Sequence, residues 1–171
     1  MTLTMNSQLE RLRKELESAL ANATPAQLAN TPEGKWSPAL VLEHLWLTYK
    51  NTNKGIAKCL ERGAPLATAA TLSHRVKTFV VVGLQYLPSG AKVPERAVPR
   101  GAPSDEVLSS IFREIQQMDS GFTQCESKFG PGAKILDHPV LGPLTVSQWR
   151  TFHWVHGRHH ARQIRERMGK P

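Results

Sequence analysis

Apolar residues in this sequence recur at intervals of three and four, with no sustained alternation of apolar and polar positions, which restricts the chain to helices packed on helices. Leu9, Leu12, Leu16 and Leu20 carry the pattern between Glu10, Arg11, Arg13, Lys14, Glu15 and Glu17, an amphipathic helix over 7–21. It ends near Asn22 to Pro25, because proline disfavours helical geometry in the residue before it and has no N–H to donate. Ser37-Pro38 places a capping hydroxyl ahead of a proline suited to the first turn. The second helix starts there, with Leu40, Val41, Leu45, Leu47 and Ile56 inside, and stops at about Leu60, before Arg62-Gly63 and Pro65. A third starts at Pro103-Ser104, carries Val107, Ile111, Ile115, Met118 and Phe122, and ends at Gly130-Pro131-Gly132. Thr145 stands three residues before Gln148, the spacing of a capping box, so the last helix starts at about Val146 and runs to Met168-Gly169.

Between the second and third long helices the pattern weakens. Thr71 to Leu87, with Leu72, Val76, Phe79, Val80 and Leu84, reads as an extra short helix, although Val80-Val81-Val82 also suits a strand. Pro88 to Pro103 holds four prolines and two glycines and reads as a long surface loop. Asp137 to Leu144 reads as a further loop. The expected fold is all-α: a four-helix bundle with one extra short helix and one long loop. At 171 residues the chain has the length of a single domain, 1–171.

No stretch approaches the roughly 20 apolar residues of a membrane span, since Lys77, Gly83 and Gln85 interrupt the best one. Met1 to Arg13 lacks the order of a secretory signal. Cys59 and Cys125 fit no metal spacing and carry no nucleophile signature. The expectation is a cytoplasmic protein with no membrane partner. The net charge is +8, and 149–171 alone contributes +5, which favours anionic partners. Arg158, Arg162 and Arg165 form a stripe on the water side of the last helix, but no reading motif or aromatic interleaving accompanies them, so nucleic acid is not the expected partner. A homodimer stays open.

Four of the seven histidines, His153, His156, His159 and His160, fall within eight residues of the last helix. His156 and His160 are one turn apart on one face and can converge on a single ion. His153 lies near that face, and His159 about a quarter turn away. Trp149 and Gln163 share the histidine side. A third ligand has to come from elsewhere: His44 on the second helix, or else His74 or His138. His44 sits among Leu40, Val41, Leu45 and Leu47, where an unpaired imidazole would lose solvation, so it needs a partner: a metal, a carbonyl or Glu43. Ser73-His74 is no nucleophile and base pair, because adjacent helical residues point apart. The four tryptophans read as core or pocket lining, Trp149 nearest the histidines.

Trp36-Ser37-Pro38 with His44, the segment His138 to Thr145, and His156-Gly-Arg-His-His160-Ala-Arg-Gln-Ile together resemble the DinB-like superfamily (DinB / YfiT-like metal-binding bundles). The likeness spans most of the chain. It is closest to a branch catalogued as a domain of unknown function and related to bacillithiol transferases and mycothiol-dependent maleylpyruvate isomerases. Residues 64–100 match nothing in that pattern. The resemblance implies a bundle in which His44, His156 and His160 hold a divalent metal, zinc or nickel, at one end. It also implies a low-molecular-weight thiol cosubstrate. It assigns no role to His153 or Trp149, which read as contacts behind the ligands or with substrate.

Three neutral imidazoles leave the ion its full charge and open positions, the pattern of a catalytic site. The expected activity is transfer of a small thiol to a small-molecule electrophile. The alternatives are metal-dependent hydrolysis, with Glu43 as the candidate base on a different helical face, and a non-enzymatic bundle whose basic last helix binds an anionic partner.

Overall fold

Side-chain caps fix where the helices begin in the computed structural model, which describes residues 6–88 and 93–169. Asn6 accepts from the Gln8 amide and starts α1 (Ser7–Leu20). Thr24 and Gln27 form a capping box on α2 (Pro25–Ala29), a short helix that the sequence pattern does not announce. Ser37 accepts from the Leu40 amide at the start of α3 (Pro38–Arg62), which ends where Gly63, at φ +71°, donates to Cys59. Thr71 caps α4 (Leu72–Thr78). Pro103 occupies the cap position of α5 (Ser104–Phe129), so Ser104 lies inside that helix and caps nothing. After the hairpin β1 (Lys134–His138) and β2 (Gly142–Thr145), the Thr145/Gln148 capping box starts α6 (Val146–Arg167).

The four long helices make the all-α bundle. Leu9, Leu12 and Leu16 of α1 are wholly buried, each stabilising the fold by about 1.5–3 kcal/mol. Pairs that climb together show α1 running parallel to α6: Gln8 with Thr151, Leu12 with Gly157, Glu15 with Arg165. In the same way α3 runs parallel to α5, through Asn53 with Glu114, Ile56 with Gly121, and Leu60 with Lys128. Between α3 and α6 the order reverses, Thr52 facing His153 and His44 facing His156. That antiparallel seam brings the two histidine-bearing segments together.

One sequence reading is corrected and two are borne out with added detail. The segment 137–144 is mostly hairpin, pairing His138 with Gly142 and Leu136 with Leu144 around a short turn. The Pro88 to Pro103 connection, outside 89–92, which are not among the described residues, is tied down over α3: Glu43 accepts from the amides of Arg100, Gly101 and Ala102, and Asn51 donates to the Arg96 carbonyl. Its Ala97 is buried, within a single 3-10 turn, Glu95–Ala97. The extra short helix is present as α4 and continues into a π-helical turn, Phe79–Gly83, not a strand, but Leu72, Val76 and Phe79 face outward and only Val81 of this region is buried. Among the described residues, no helix is long and apolar enough to cross a membrane.

Candidate metal centre and its cavity

His44 leaves α3 and His156 and His160 leave α6 so that their Nε2 atoms meet. The His156 nitrogen lies 3.2 Å from that of His44 and 3.1 Å from that of His160, and all three lie within 4.8 Å of one another. The helix spacing of four places the α6 pair on one face, and the α3/α6 seam supplies the third ring.

The other edge of each ring settles what these nitrogens offer. His44 Nδ1 lies 2.7 Å from the Ala97 carbonyl. A carbonyl only accepts, so the proton is on Nδ1 and a lone pair is on Nε2. His160 Nδ1 donates in the same way to Gln163 Oε1 at 2.9 Å, while the Gln163 amide donates to His159 Nε2. His156 Nδ1 is buried without a partner. Two lone pairs therefore face the His156 Nε2, and a proton there serves only one of them. A cation serves all three. At about 2 Å per zinc–nitrogen bond, neighbouring ligands of a tetrahedral ion sit a little over 3 Å apart, close to the two spacings that His156 makes with His44 and His160. Fixing Nδ1 by a carbonyl or amide oxygen is also how metal-ligating imidazoles are oriented.

Burial keeps these rings neutral and available for a metal. Desolvation pushes His160 down to about 3 and His156 well below its ordinary value, with the neighbouring imidazoles adding to the shift. Desolvation also lowers His44, against the opposing pull of its bond to Ala97. Phe152 stacks on His156 with ring centres 5.2 Å apart.

The three rings open on a cavity of about 890 Å³. Trp36, Leu136, Val81, Trp149 and Phe152 give it apolar walls. Lys54, Lys58, Lys77, Arg96 and Arg167 also line it, against a single acidic residue, Asp137. The Asp137 carboxylate already accepts from the Thr68 amide. The cavity is therefore electropositive.

The remaining sequence candidates separate clearly. Trp149 lines the cavity and donates its indole N–H to the Leu136 carbonyl. His153 is wholly buried behind it, its Nε2 3.2 Å from the Thr52 hydroxyl, and takes no part in the cavity wall. His159 lines the cavity outside the trio. His74 is the N3 residue of the α4 capping box. His138 accepts at Nδ1 from the amides of Val140 and Leu141, closing the hairpin turn, and its ring forms part of the wall. Glu43, the candidate base, is fully engaged by the 100–102 amides. Cys59 and Cys125 are free and buried, and burial lifts both thiols, Cys125 to about 11.

The arginine stripe is only partly a water-facing surface: Arg165 pairs with Glu15 at 2.7 Å and Arg158 donates to the Gln85 carbonyl. Arg150 is buried against Glu126 and Asp119 and adds nothing to a surface charge. Two contributors had no role assigned from the sequence, although Gln163 was placed on the histidine side. Gln163 stands three residues after His160 and was legible as its partner. The Ala97 carbonyl was not, since a backbone acceptor has no residue-type signature.

No curated protein and no solved structure matches the chain. A family model, described as DinB superfamily, matches residues 8–164, from the second residue of α1 to the last buried position of α6. With that match over nearly the whole chain, and a helical bundle that brings three imidazoles together, the chain belongs to the DinB superfamily.

Proposed function

We propose that this protein is a metal-dependent transferase, in which His44, His156 and His160 hold a divalent ion, zinc or nickel, and the cavity receives a low-molecular-weight thiol and a small electrophile. The observation that carries this reading is the convergence of three imidazole Nε2 atoms on the wall of an electropositive cavity. When bound, the ion supplies positive charge that lowers the pKa of a thiol and so raises its fraction of nucleophilic thiolate. The chain does the rest. Lys54, Lys58, Lys77, Arg96 and Arg167 attract the carboxylates of an anionic cosubstrate. Trp36, Trp149 and Phe152 exclude water from the reacting atoms. The sulfur–carbon bond forms as the thiol proton passes to solvent and the leaving group departs with its electron pair.

Hydrolysis would need a free acid or base beside the imidazoles. Glu43 is committed to the 100–102 amides and Asp137 to Thr68, which favours thiol transfer. Metal content per chain, measured on untagged protein purified without chelators, is expected near one. The metal-loaded protein, incubated with several thiols and a chromogenic aryl halide, should exceed the rate of His156→Ala. No thiol giving a rate above that variant would reject the reading.

A further inference from the structure

His138 contributes a hydrogen-bond donor to the cavity that no protein group uses. Its Nδ1 accepts from two backbone amides, Val140 and Leu141, each at 3.1 Å. An N–H can only donate, so Nδ1 carries the lone pair and, in the neutral ring, the proton sits on Nε2. Burial holds the ring neutral, with its pKa pushed down to about 4. The Nε2 edge faces away from the turn, and no oxygen or nitrogen acceptor for it is found among the described residues. The ring is held by two aromatic neighbours, Phe152 at 4.3 Å and Trp149 at 5.6 Å between centres. Phe152 also stacks on His156, so a single phenyl ring separates this donor from the three-imidazole group. An oriented donor in a desolvated wall discriminates by leaving itself unpaired when the ligand lacks an acceptor.

We propose that His138 Nε2–H is a positioning group that donates to a carboxylate or carbonyl oxygen of the molecule in the cavity, fixing which end of that molecule faces His44, His156 and His160. The ligand class is a small molecule with an oxygen acceptor a few bonds from its reacting sulfur or carbon. This rests on the cavity being the substrate site named above, and it makes the turn of the hairpin the element that orients the ligand once the cavity-lining lysines and arginines have attracted it.

The test compares wild type with His138→Asn, whose Oδ1 keeps an acceptor for the Val140 and Leu141 amides while no group replaces Nε2–H. Affinity for 3-mercaptopropionate and for propane-1-thiol, which lacks the oxygens, is measured by calorimetry on metal-loaded protein. The variant should bind 3-mercaptopropionate about tenfold or more weakly, the range for a hydrogen bond to a charged group, and propane-1-thiol as wild type does. Independently of any variant, the His138 Nε2–H resonance of wild type should shift downfield with 3-mercaptopropionate and stay fixed with propane-1-thiol. Equal loss for both thiols, no loss for either, or a resonance that ignores the carboxylate would overturn the proposal, as would failure of wild type to bind 3-mercaptopropionate. Metal content is read separately: if the chain holds no metal, the same two affinities are measured without it, and a His138 difference that persists there removes the transferase reading and leaves this contact standing.

Discussion

His153 and His156 lie three positions apart along α6, and burial makes both hard to protonate, but their surroundings give them different consequences. His156 faces two other imidazoles, whereas His153 faces Thr52, Tyr49 and Trp149. Burial pushes His153 from its ordinary 6.5 down to about 3. Between those values the unfolded chain takes up a proton at this position and the folded chain does not, so stability is full above about 6.5 and falls as pH drops toward 3. The slope is about 1.4 kcal/mol per pH unit for one such group. Urea denaturation of chelator-treated protein at pH 6 and pH 4 should show this loss, and His153→Phe should reduce it by about that amount per unit; an unchanged slope would count against a neutral buried ring. A second residue-level expectation concerns Gln163, whose oxygen holds the Nδ1 proton of His160. Gln163→Leu removes that acceptor while keeping a side chain of similar length, and metal affinity should fall about 10- to 100-fold in competition with a chromogenic chelator. An affinity equal to wild type would mean the ring is held in place by packing alone.

Elements reach these positions through close approaches that the residue pattern only partly announces. Gly157 lets α6 settle on α1: a Cβ there would overlap the buried Leu12 side chain and meet Tyr49 Oη at 3.2 Å. Gly157→Ala should cost about 1–3 kcal/mol, as overpacking in a well-filled core does, by urea denaturation. Gly132→Ala, where nothing lies within 4 Å, is the control and should change stability little. The four long helices were legible because a stripe of buried apolar residues and a cap are both written in side chains: Ser37-Pro38 and Thr145 with Gln148 act as read. The hairpin was not, because its two short strands carry no alternation and Pro143 sits within one of them. Nor was the 96–102 connection, whose attachment to Glu43 and His44 runs through backbone amides and one carbonyl. The candidate site shares this division. Its three imidazoles follow from spacing and family likeness, while the cavity beside them depends on the unread hairpin and connection.

At the scale of the whole molecule, the three imidazoles tie together parts of the chain that are remote in sequence: α3, α6 and, through Ala97, the connection laid over α3. An ion held there needs all three parts in place at once, so it binds the folded chain and gains little from the unfolded one. Mass action then raises stability by about 2.7 kcal/mol at a free metal concentration a hundred times the Kd. For a chain of this length each kcal/mol moves the melting temperature by roughly 2–4 °C, so saturating zinc should raise it by about 5–10 °C. His44→Ala removes the only ligand supplied by α3 and leaves two that belong to one helix, which can bind an ion without joining anything. That variant should keep its helical circular dichroism and lose most of the zinc-dependent shift. A shift of equal size in wild type and His44→Ala would place the metal elsewhere, and no shift in wild type at saturating zinc would detach the ion from the fold altogether.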